Sequence, residues 1–473
     1  MGKSFRSDDL DQALLLAPSL HDWLPDDHLA HFIADVVKQL DLSAIYASYE
    51  EKDGRGQSAY APAMMVRVLL YGYCTGTYSS RRIEAKTYDE VAYRYLAADE
   101  HPDHSTLAEF RKRHLEALAG LFVQSLRLCQ KVGLVKLGHL AIDGTKLPGH
   151  ASKHKAMSYQ RMGETEKKLL AEVEELLKRA AAIDAAEDEQ YGKGRRGDAL
   201  PAELARRESR LAKICAAKAE LEAEARQQAE EQKAAAEAKI GARREQEART
   251  GKKAKGREPQ VPDPDKAVPK PGAQRSFTDP DSRIMPHGSQ KGSFLQGYNA
   301  QAAVDDEAQV IVAADVIQDT TDNHQLVPML EQVEQNMGAR PQAASADSGY
   351  WDPKQVGDRR LQGIDLYVAM AKEEHGSGGD ASSGGPPGGP PAATVEAGLR
   401  EQMKAKLQTE AGRNLYRMRK AIVEPVFGQI KEWRGFRRFS MRRLTKVRAE
   451  WRLVCATHNL LKLFHSGRAF QMA

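Results

Sequence analysis

The fold class follows from one short run of sequence, LVKLGHLAIDG at residues 134–144. The run is mostly apolar and ends abruptly at Asp143 and Gly144, which predicts a buried strand with a carboxylate at its exit. A second run, AASADSGYWD at 343–352, predicts a strand of small residues that ends at Asp347. The sequence therefore places two acids at the ends of two predicted strands.

Further predicted strands and helices surround these two. GYNAQAAVD, QVIVAADVI and GIDLYVAM each have the pattern of a strand, and a helix is predicted from Leu326 to Met337. The late segment NLYRMRKAIVEPVFGQIKEWRGF is predicted to be a helix broken near Pro425. Strands combined with helices in this order predict an α/β layer fold.

The first 131 residues are predicted to be helical. Pro62 suits the first turn of one helix, and Thr106 with Glu109 three residues later forms a capping-box pattern for another. Short helices with basic ends suit a DNA-binding domain. A helical bundle that only packs is an equally open interpretation.

Between the two halves of the predicted sheet, residues 158–249 are rich in Ala, Glu, Lys, Arg and Leu. Heptad-like apolar spacing predicts long helices, and the turn-like segment 192–201 predicts an antiparallel hairpin. Contact with DNA, contact with a partner subunit and a passive spacer all remain open for this insertion. A Lys- and Pro-rich linker follows at 251–272, and a Gly-, Ser- and Pro-rich linker at 375–393 is predicted to be disordered.

Charge is distributed unevenly along the chain. The formal net charge is +4, but residues 411–473 contain fifteen Lys or Arg against three Glu. Such a concentration predicts a polyanionic partner, because neutralising phosphates and releasing counterions drives nucleic-acid binding. A solvated basic face without a partner is the alternative.

The four cysteines have no C-x-x-C spacing, which argues against disulfides and a structural zinc site and fits a reducing cytosol. No signal peptide is apparent in the first thirty residues. No apolar run is as long as the stretch of about 18 residues that a membrane-spanning helix requires. We expect an intracellular protein that does not contact the membrane.

Three acids are candidates for phosphodiester chemistry: Asp143, Asp347 and Glu424. Two divalent ions held by carboxylates can neutralise a phosphodiester and activate its attacker, and hard oxygen ligands favour Mg²⁺ or Mn²⁺. Taken singly, an acid after a strand is more often a turn or cap residue than a metal ligand.

Motifs along nearly the whole chain resemble those of bacterial insertion-sequence transposases of the DDE type, in the group marked by a Tyr-Arg-Glu-Lys signature. The matching stretches are YAPAMMVRVLLYGYCTGTYSSRRIE, PDHSTLAEFRKRH, AIDGTKL, TDPDSRIM, GYNAQAAVD, ADSGYWD and YRMRKAIVEPVFGQIKEWRGFRRF. The resemblance implies an RNase H-like mixed-sheet core, with an all-helical N-terminal domain and the helical hairpin as an insertion. It also implies that Asp143, Asp347 and Glu424 are catalytic ligands of two Mg²⁺ or Mn²⁺ ions.

By the same resemblance, the protein binds the terminal inverted repeats of its element as double-stranded DNA, cleaves a strand at each end and joins the freed 3′-hydroxyl to target DNA. It acts as a homodimer on the nucleoid in the bacterial cytoplasm, without a small-molecule substrate. Tyr416, Arg419 or Lys420, and Lys431 match the signature, but Arg419 lies one residue too far from Glu424, so which of Arg419 and Lys420 fills the basic position stays open. Arg437, Arg438 and Trp351 are further candidates for DNA contact. Base stacking by Tyr350 and Trp351 competes with simple packing.

We divide the chain into six predicted segments. They are a helical DNA-binding domain at 1–131, the first part of the core at 132–157, the insertion and its linker at 158–273, the second part of the core at 274–372, a disordered linker at 373–398 and basic C-terminal core helices at 399–473.

Two other functions remain open: an RNase H-like DNA nuclease without strand transfer, and a transposase-derived DNA-binding protein whose catalysis has decayed. The presence of all three acids argues against decay.

Overall fold

The computed structural model describes most of the 473-residue chain, in the ranges 19–50, 58–151, 156–191, 202–251, 256–286, 292–370 and 391–468. The predicted turn at 192–201 and residues 375–390 of the predicted disordered linker lie outside these ranges. The last three linker residues, 391–393, belong to a helix instead.

The described chain before the first strand is helical, as predicted. Its helices are α1 (Leu29–Gln39), α2 (Ser43–Glu50), α3 (Pro62–Cys74), α4 (Ser80–Asp89), α5 (Val91–Leu96), α6 (His104–Arg113) and α7 (Leu115–Lys131). Pro62 occupies the first turn of α3, where its missing N–H costs nothing. The capping box on Thr106 is wrong: α6 is capped by Asp103, whose carboxylate accepts the backbone N–H groups of Ser105 and Thr106 at 2.8 and 3.1 Å.

A six-stranded mixed sheet forms the centre of the molecule. Its strands are β1 (His139–Pro148), β4 (Arg283–Pro286), β5 (Phe294–Asp305), β6 (Ile311–Ile317), β7 (Ala343–Ala346) and β8 (Asp365–Val368), and a separate pair joins β2 (Ala156–Ser158) to β3 (Gln274–Ser276). The strands of the sheet follow the order β6-β5-β1-β7-β8, and β4 pairs with the first residues of β5. The β1–β5 and β5–β6 pairs are antiparallel, whereas β1–β7 and β7–β8 are parallel.

The first strand differs from its prediction, because β1 starts at His139 and runs past Asp143 to Pro148. Antiparallel β5 pairs with almost its whole length, which keeps the later residues extended. Parallel β7 pairs with β1 only as far as Ile142. Asp143 therefore lies within a strand, at the point where the neighbouring strand ends.

The remaining helices cover the sheet or project from it. They are α8 (Tyr159–Tyr191), α9 (Ala202–Thr250), α10 (Leu326–Met337), α11 (Pro353–Val356), α12 (Pro391–Gln408), α13 (Glu410–Gly428) and α14 (Leu444–His465), with 3₁₀ turns at Pro264–Lys266, Ser348–Tyr350 and Arg359–Leu361 and a π-helical turn at Gln429–Trp433. Side chains pair Glu166 with Lys218 and Glu172 with Arg207, so α8 and α9 are antiparallel, as the hairpin prediction required. None of the described helices is long and apolar enough to cross a membrane.

Helix α13 is not broken at Pro425, contrary to the prediction. Proline has no N–H, so the carbonyl of Ala421, one turn earlier, loses its usual helical donor. The side-chain amide of Gln309, in the turn between β5 and β6, donates to that carbonyl at 2.9 Å. This replacement bond lets the helix continue to Gly428 and then into the π-helical turn.

Helix α14 connects the helical N-terminal part to the sheet. The Asn459 side chain bonds both backbone groups of Ile311 on β6, at 2.8 and 2.9 Å, and the Cys129 thiol of α7 donates to the Asn459 carbonyl. Trp451 is fully buried, and its indole N–H donates to the carbonyl of Gln301 on β5 at 3.0 Å. One continuous apolar core thus spans the helical part and the sheet.

Candidate active site

Asp143 and Asp347 lie side by side at one edge of the sheet. Their preceding residues, Ile142 and Ala346, are the last paired positions of the parallel strands β1 and β7. Because β1 and β7 run parallel and are paired up to these residues, the two acids that follow take neighbouring positions at the point where β7 ends. The two strand-end acids of the sequence are therefore neighbours in space.

Asp143 accepts two hydrogen bonds, one from the next residue and one from a residue far away in the sequence. Its Oδ1 accepts the N–H of Gly144 at 2.8 Å, and its Oδ2 accepts Nη1 of Arg419 at 2.9 Å. Burial raises the pKa of Asp143 to about 6; the Arg419 guanidinium opposes this rise, and the Asp347 carboxylate adds to it. The carboxylate is thus poorly solvated and depends on a cation for its charge balance.

Of the two candidates for the basic position of the signature, Arg419 lies at this cluster. Arg419 is 6% exposed, on the face of α13 that packs on the sheet, and its guanidinium lies 5.8 Å from the ring centre of Tyr416. Lys420, about 100° further around the helix, is exposed. The structure therefore brings Arg419, and not Lys420, to Asp143.

Lys431 approaches the same edge from the π-helical turn. Its Nζ donates to Oγ1 of Thr145 at 2.7 Å. Thr145 is two residues beyond Asp143 on β1, so both side chains are on one face of the strand. Burial lowers the pKa of Lys431. π-Helical turns are rare and occur often at functional sites, and this one carries a cation to the carboxylate edge.

Glu424 is not part of this cluster. It is exposed, one turn after Lys420, and lies about 140° around the helix from Arg419, since each residue turns an α-helix by about 100°. Within the described ranges, no three His, Cys, Asp or Glu side chains converge closely enough to hold a metal ion. The donor pair Asp143 and Asp347 nevertheless fits magnesium, which commonly takes one or two carboxylates and completes its shell with water and substrate phosphates.

The loop after β7 fixes Asp347. Its Oδ1 accepts the N–H of Gly349 at 2.8 Å. Tyr350 is fully buried, and its hydroxyl bonds the side-chain oxygen of Gln301 on β5. Tyr350 therefore packs and cannot stack on a base, whereas Trp351 is half-buried against the core and its DNA contact stays a prediction.

Gly349 leaves room for the carboxylates at this edge, which gives a first test. A Cβ on Gly349 would lie 3.0 Å from Oδ1 of Asp347 and 3.3 Å from Oδ2 of Asp322. We expect Gly349→Ala to displace Asp347 by a few tenths of an ångström and to lower DNA cleavage up to about 10-fold, since misplacement by about 1 Å can cost about 100-fold. The rate of end cleavage measures it. Gly120→Ala, where a Cβ meets open space in α7, is the control, and equal rates for both variants would contradict the role of Gly349.

The basic C-terminal surface contains one feature that sequence reasoning missed. Trp433 is 87% exposed in the π-helical turn, although tryptophan is usually well buried. Arg438 is exposed nearby, while Arg437 is paired with Glu432. The run KEWRGFRR, an aromatic residue among basic ones, is the signal that could have identified Trp433.

Two families of known proteins match parts of the chain. Residues 18–113 match a family described as a transposase domain (DUF772), and residues 268–460 match the transposase DDE domain. No curated protein and no solved structure matches the chain at a significant level. The mixed sheet with acids at adjacent strand ends is an RNase H-like core, of the class that acts on nucleic acids. More specifically, the chain belongs to the DDE transposases of insertion sequences and is an enzyme of DNA transposition.

Proposed function

We propose that this transposase binds the terminal inverted repeats of its element, cleaves a strand at each end and transfers the freed 3′-hydroxyl to target DNA. One observation carries the proposal: Asp143 and Asp347 lie side by side at a sheet edge that Arg419 and Lys431 also reach. Carboxylates for metal ions and cations for phosphates are what phosphodiester cleavage and joining require.

Each residue at the edge has a distinct task in this proposal. Divalent ions, when bound, neutralise the phosphodiester and activate water or the 3′-hydroxyl. Asp143 and Asp347 hold them, and Glu424 joins from α13. Arg419 offers a planar fork to a phosphate and Lys431 a point charge. Because Arg419 bonds Asp143 in this structure, an arriving phosphate competes with Asp143 for the guanidinium.

Two further segments of the chain bind DNA in this proposal. The N-terminal helical segment, 1–131, recognises the ends, and the basic segment 399–473 holds the backbone. Lys420 and Arg438 are exposed for phosphate contact, and the exposed ring of Trp433 suits stacking on an unpaired base. A homodimer in the bacterial cytoplasm would pair the two ends.

Neutralising the basic surface tests its contact with DNA. We expect Arg438→Gln to weaken binding for all sequences alike and to reduce the slope of log K against log salt by about 0.9, the value for one lost phosphate contact. Binding titrations over a salt series measure it. Arg340→Gln, before the start of β7 and thus at the opposite edge of the sheet, is the control. An unchanged slope for Arg438→Gln would remove this arginine from the interface.

The reaction itself is tested with labelled duplexes that carry the element's ends, in Mg²⁺ or in EDTA. The proposal requires metal-dependent cutting at the ends and joining to a second duplex. Cutting without joining would favour an RNase H-like nuclease. Binding without cutting would favour a DNA-binding protein with decayed catalysis.

A further inference from the structure

A third carboxylate, Asp322, lies beside Asp347 in the loop between β6 and α10. Oδ1 of Asp347 and Oδ2 of Asp322 are both within 3.3 Å of one point, the position that a Cβ on Gly349 would occupy. One oxygen of each carboxylate therefore approaches the same side of Gly349. The sequence gives only a weak signal for this residue, an acid in the DTTDN run after a predicted strand.

Asp322 is held rigidly by two buried amides of β5. Nδ2 of Asn299 and Nε2 of Gln301 each donate to Oδ1 of Asp322 at 2.7 Å, and Asn299 and Gln301 are 1% and 0% exposed. The hydroxyl of Tyr350 donates to the side-chain oxygen of Gln301 and so holds that amide in its orientation. In the part of the chain that the structure describes, no donor bonds Oδ2 of Asp322. Oδ1 of Asp322 is thus anchored, whereas Oδ2 lies beside Gly349 without a partner among the described residues.

A second observation in the same cluster indicates a missing ligand. Oδ1 of Asn299 is buried without a hydrogen-bond partner among the described residues. It lies 2.9 Å from the position of a Cβ on Gly144, next to Asp143, and Oδ1 of Asp322 is 2.8 Å from the same position. A buried acceptor without a donor is costly, and water molecules bound to a cation are strong donors. The unpartnered oxygen of Asn299 thus lies beside Gly144, where Oδ1 of Asp322 and Nε2 of Gln301 also approach, and a water molecule bound to a nearby cation would supply its missing donor.

The three acids differ in the cations that contact them. Among the described residues, Arg419 bonds Asp143 and neither Asp322 nor Asp347. The Asp322–Asp347 side of the cluster carries negative charge without a bonded cation in the described structure.

We propose that Asp322 is a further metal ligand of this site and shares a divalent cation, Mg²⁺ or Mn²⁺, with Asp347. The inference rests on the proposed metal-dependent function and adds a carboxylate from outside the three that the family resemblance supplies. Two carboxylates with water and substrate oxygens form a complete set for magnesium. The rigid amide support from β5 orients Asp322 as outer-shell partners orient other metal ligands.

Metal binding by the full-length protein without DNA tests the proposal. Asp322→Asn keeps the shape and the Oδ1 acceptor but removes the charge, and we expect it to weaken Mn²⁺ binding in calorimetry about 10- to 100-fold. Asp319→Asn makes the same charge change at an exposed position three residues earlier and should bind like the wild type. Equal Mn²⁺ affinity in both variants would overturn the proposal.

A second measurement needs no variant. Fe²⁺ bound in place of Mg²⁺ reduces added hydrogen peroxide to hydroxide and a hydroxyl radical, ascorbate regenerates the Fe²⁺, and the radicals cut the backbone beside the metal. We expect cuts in wild-type protein near Asp322 as well as near Asp347, and cuts near Asp143 and Asp347 alone would overturn the role of Asp322. Failure of the proposed function is separable: metal binding that depends on Asp322 without strand cleavage would sustain the inference and reject the function. Strand cleavage by the wild-type protein, together with unchanged metal affinity in Asp322→Asn, would support the proposed function and reject the role of Asp322.

Discussion

Asp143→Asn and Asp347→Asn are each expected to lower end cleavage at least about 10³-fold, because loss of one stabilising group in a preorganised site costs about 10²–10³ and a metal ligand contributes more than one such bond. Both changes preserve the shape of the side chain. Asp143→Asn should retain the Gly144 bond, and Asp347→Asn the Gly349 bond. DNA binding, which depends on the basic surface, should remain nearly intact. Gel assays of cleavage and of binding on the same duplex measure both quantities.

The control for this pair is Asp352→Asn, a nearby acid that caps the short helix α11 through Lys354. Its cleavage rate should stay near that of the wild type. Cleavage retained in Asp143→Asn or Asp347→Asn would remove that residue from the metal site.

Glu424→Gln is expected to abolish cleavage by the family resemblance, although Glu424 is exposed in this structure. The loss requires that α13 present Glu424 to the carboxylate edge when DNA binds. Wild-type rates in Glu424→Gln would show that the site works with Asp143, Asp347 and another ligand.

Trp451→Ala is expected to lower the free energy of unfolding by about 3–5 kcal/mol, the range for removing a large aromatic side chain from a core. Trp451 is fully buried, with ring centres of Phe427, Phe436 and Phe439 at 6.4, 6.4 and 6.5 Å. The substitution also leaves the Gln301 carbonyl without its indole donor. Denaturant unfolding followed by circular dichroism measures the change.

Trp433→Ala is the matched control, since the same side chain is 87% exposed there. Its free energy of unfolding should stay within about 0.5 kcal/mol of the wild type, as for most surface changes. A similar loss in both variants would mean that Trp451 does not hold α14 to the sheet.

Local sequence patterns predicted β5, β6, β7, β8 and α10, because strand and helix patterns are local signals, but they did not predict β2, β3 and β4. These patterns failed where the local structure depends on a contact with a residue that is distant in the sequence. Pro425 was expected to break its helix, and only Gln309, more than a hundred residues earlier, satisfies the carbonyl that proline leaves free. The extension of β1 beyond Asp143 depends in the same way on pairing with β5.

The candidate site could be predicted only in part, because local patterns locate strand ends but not the contacts between distant segments. Strand-end positions identified Asp143 and Asp347, whose pairing in space follows from the parallel strands. The choice between Arg419 and Lys420 could not be made from spacing, because it depends on which face of α13 meets the sheet. Asp322 was missed because its proximity to Asp347 arises from a loop whose path is fixed by the amides of Asn299 and Gln301.

The position of α14 has a consequence for damaged copies of the gene. The last described helix fills the space between α7 and β6, so a product ending before residue 444 would expose the apolar faces of both elements. Such a product should be degraded and should not accumulate as a truncated protein that occupies the ends of the element. A late nonsense mutation would therefore silence the gene copy without producing a competitor of intact transposase made from other copies.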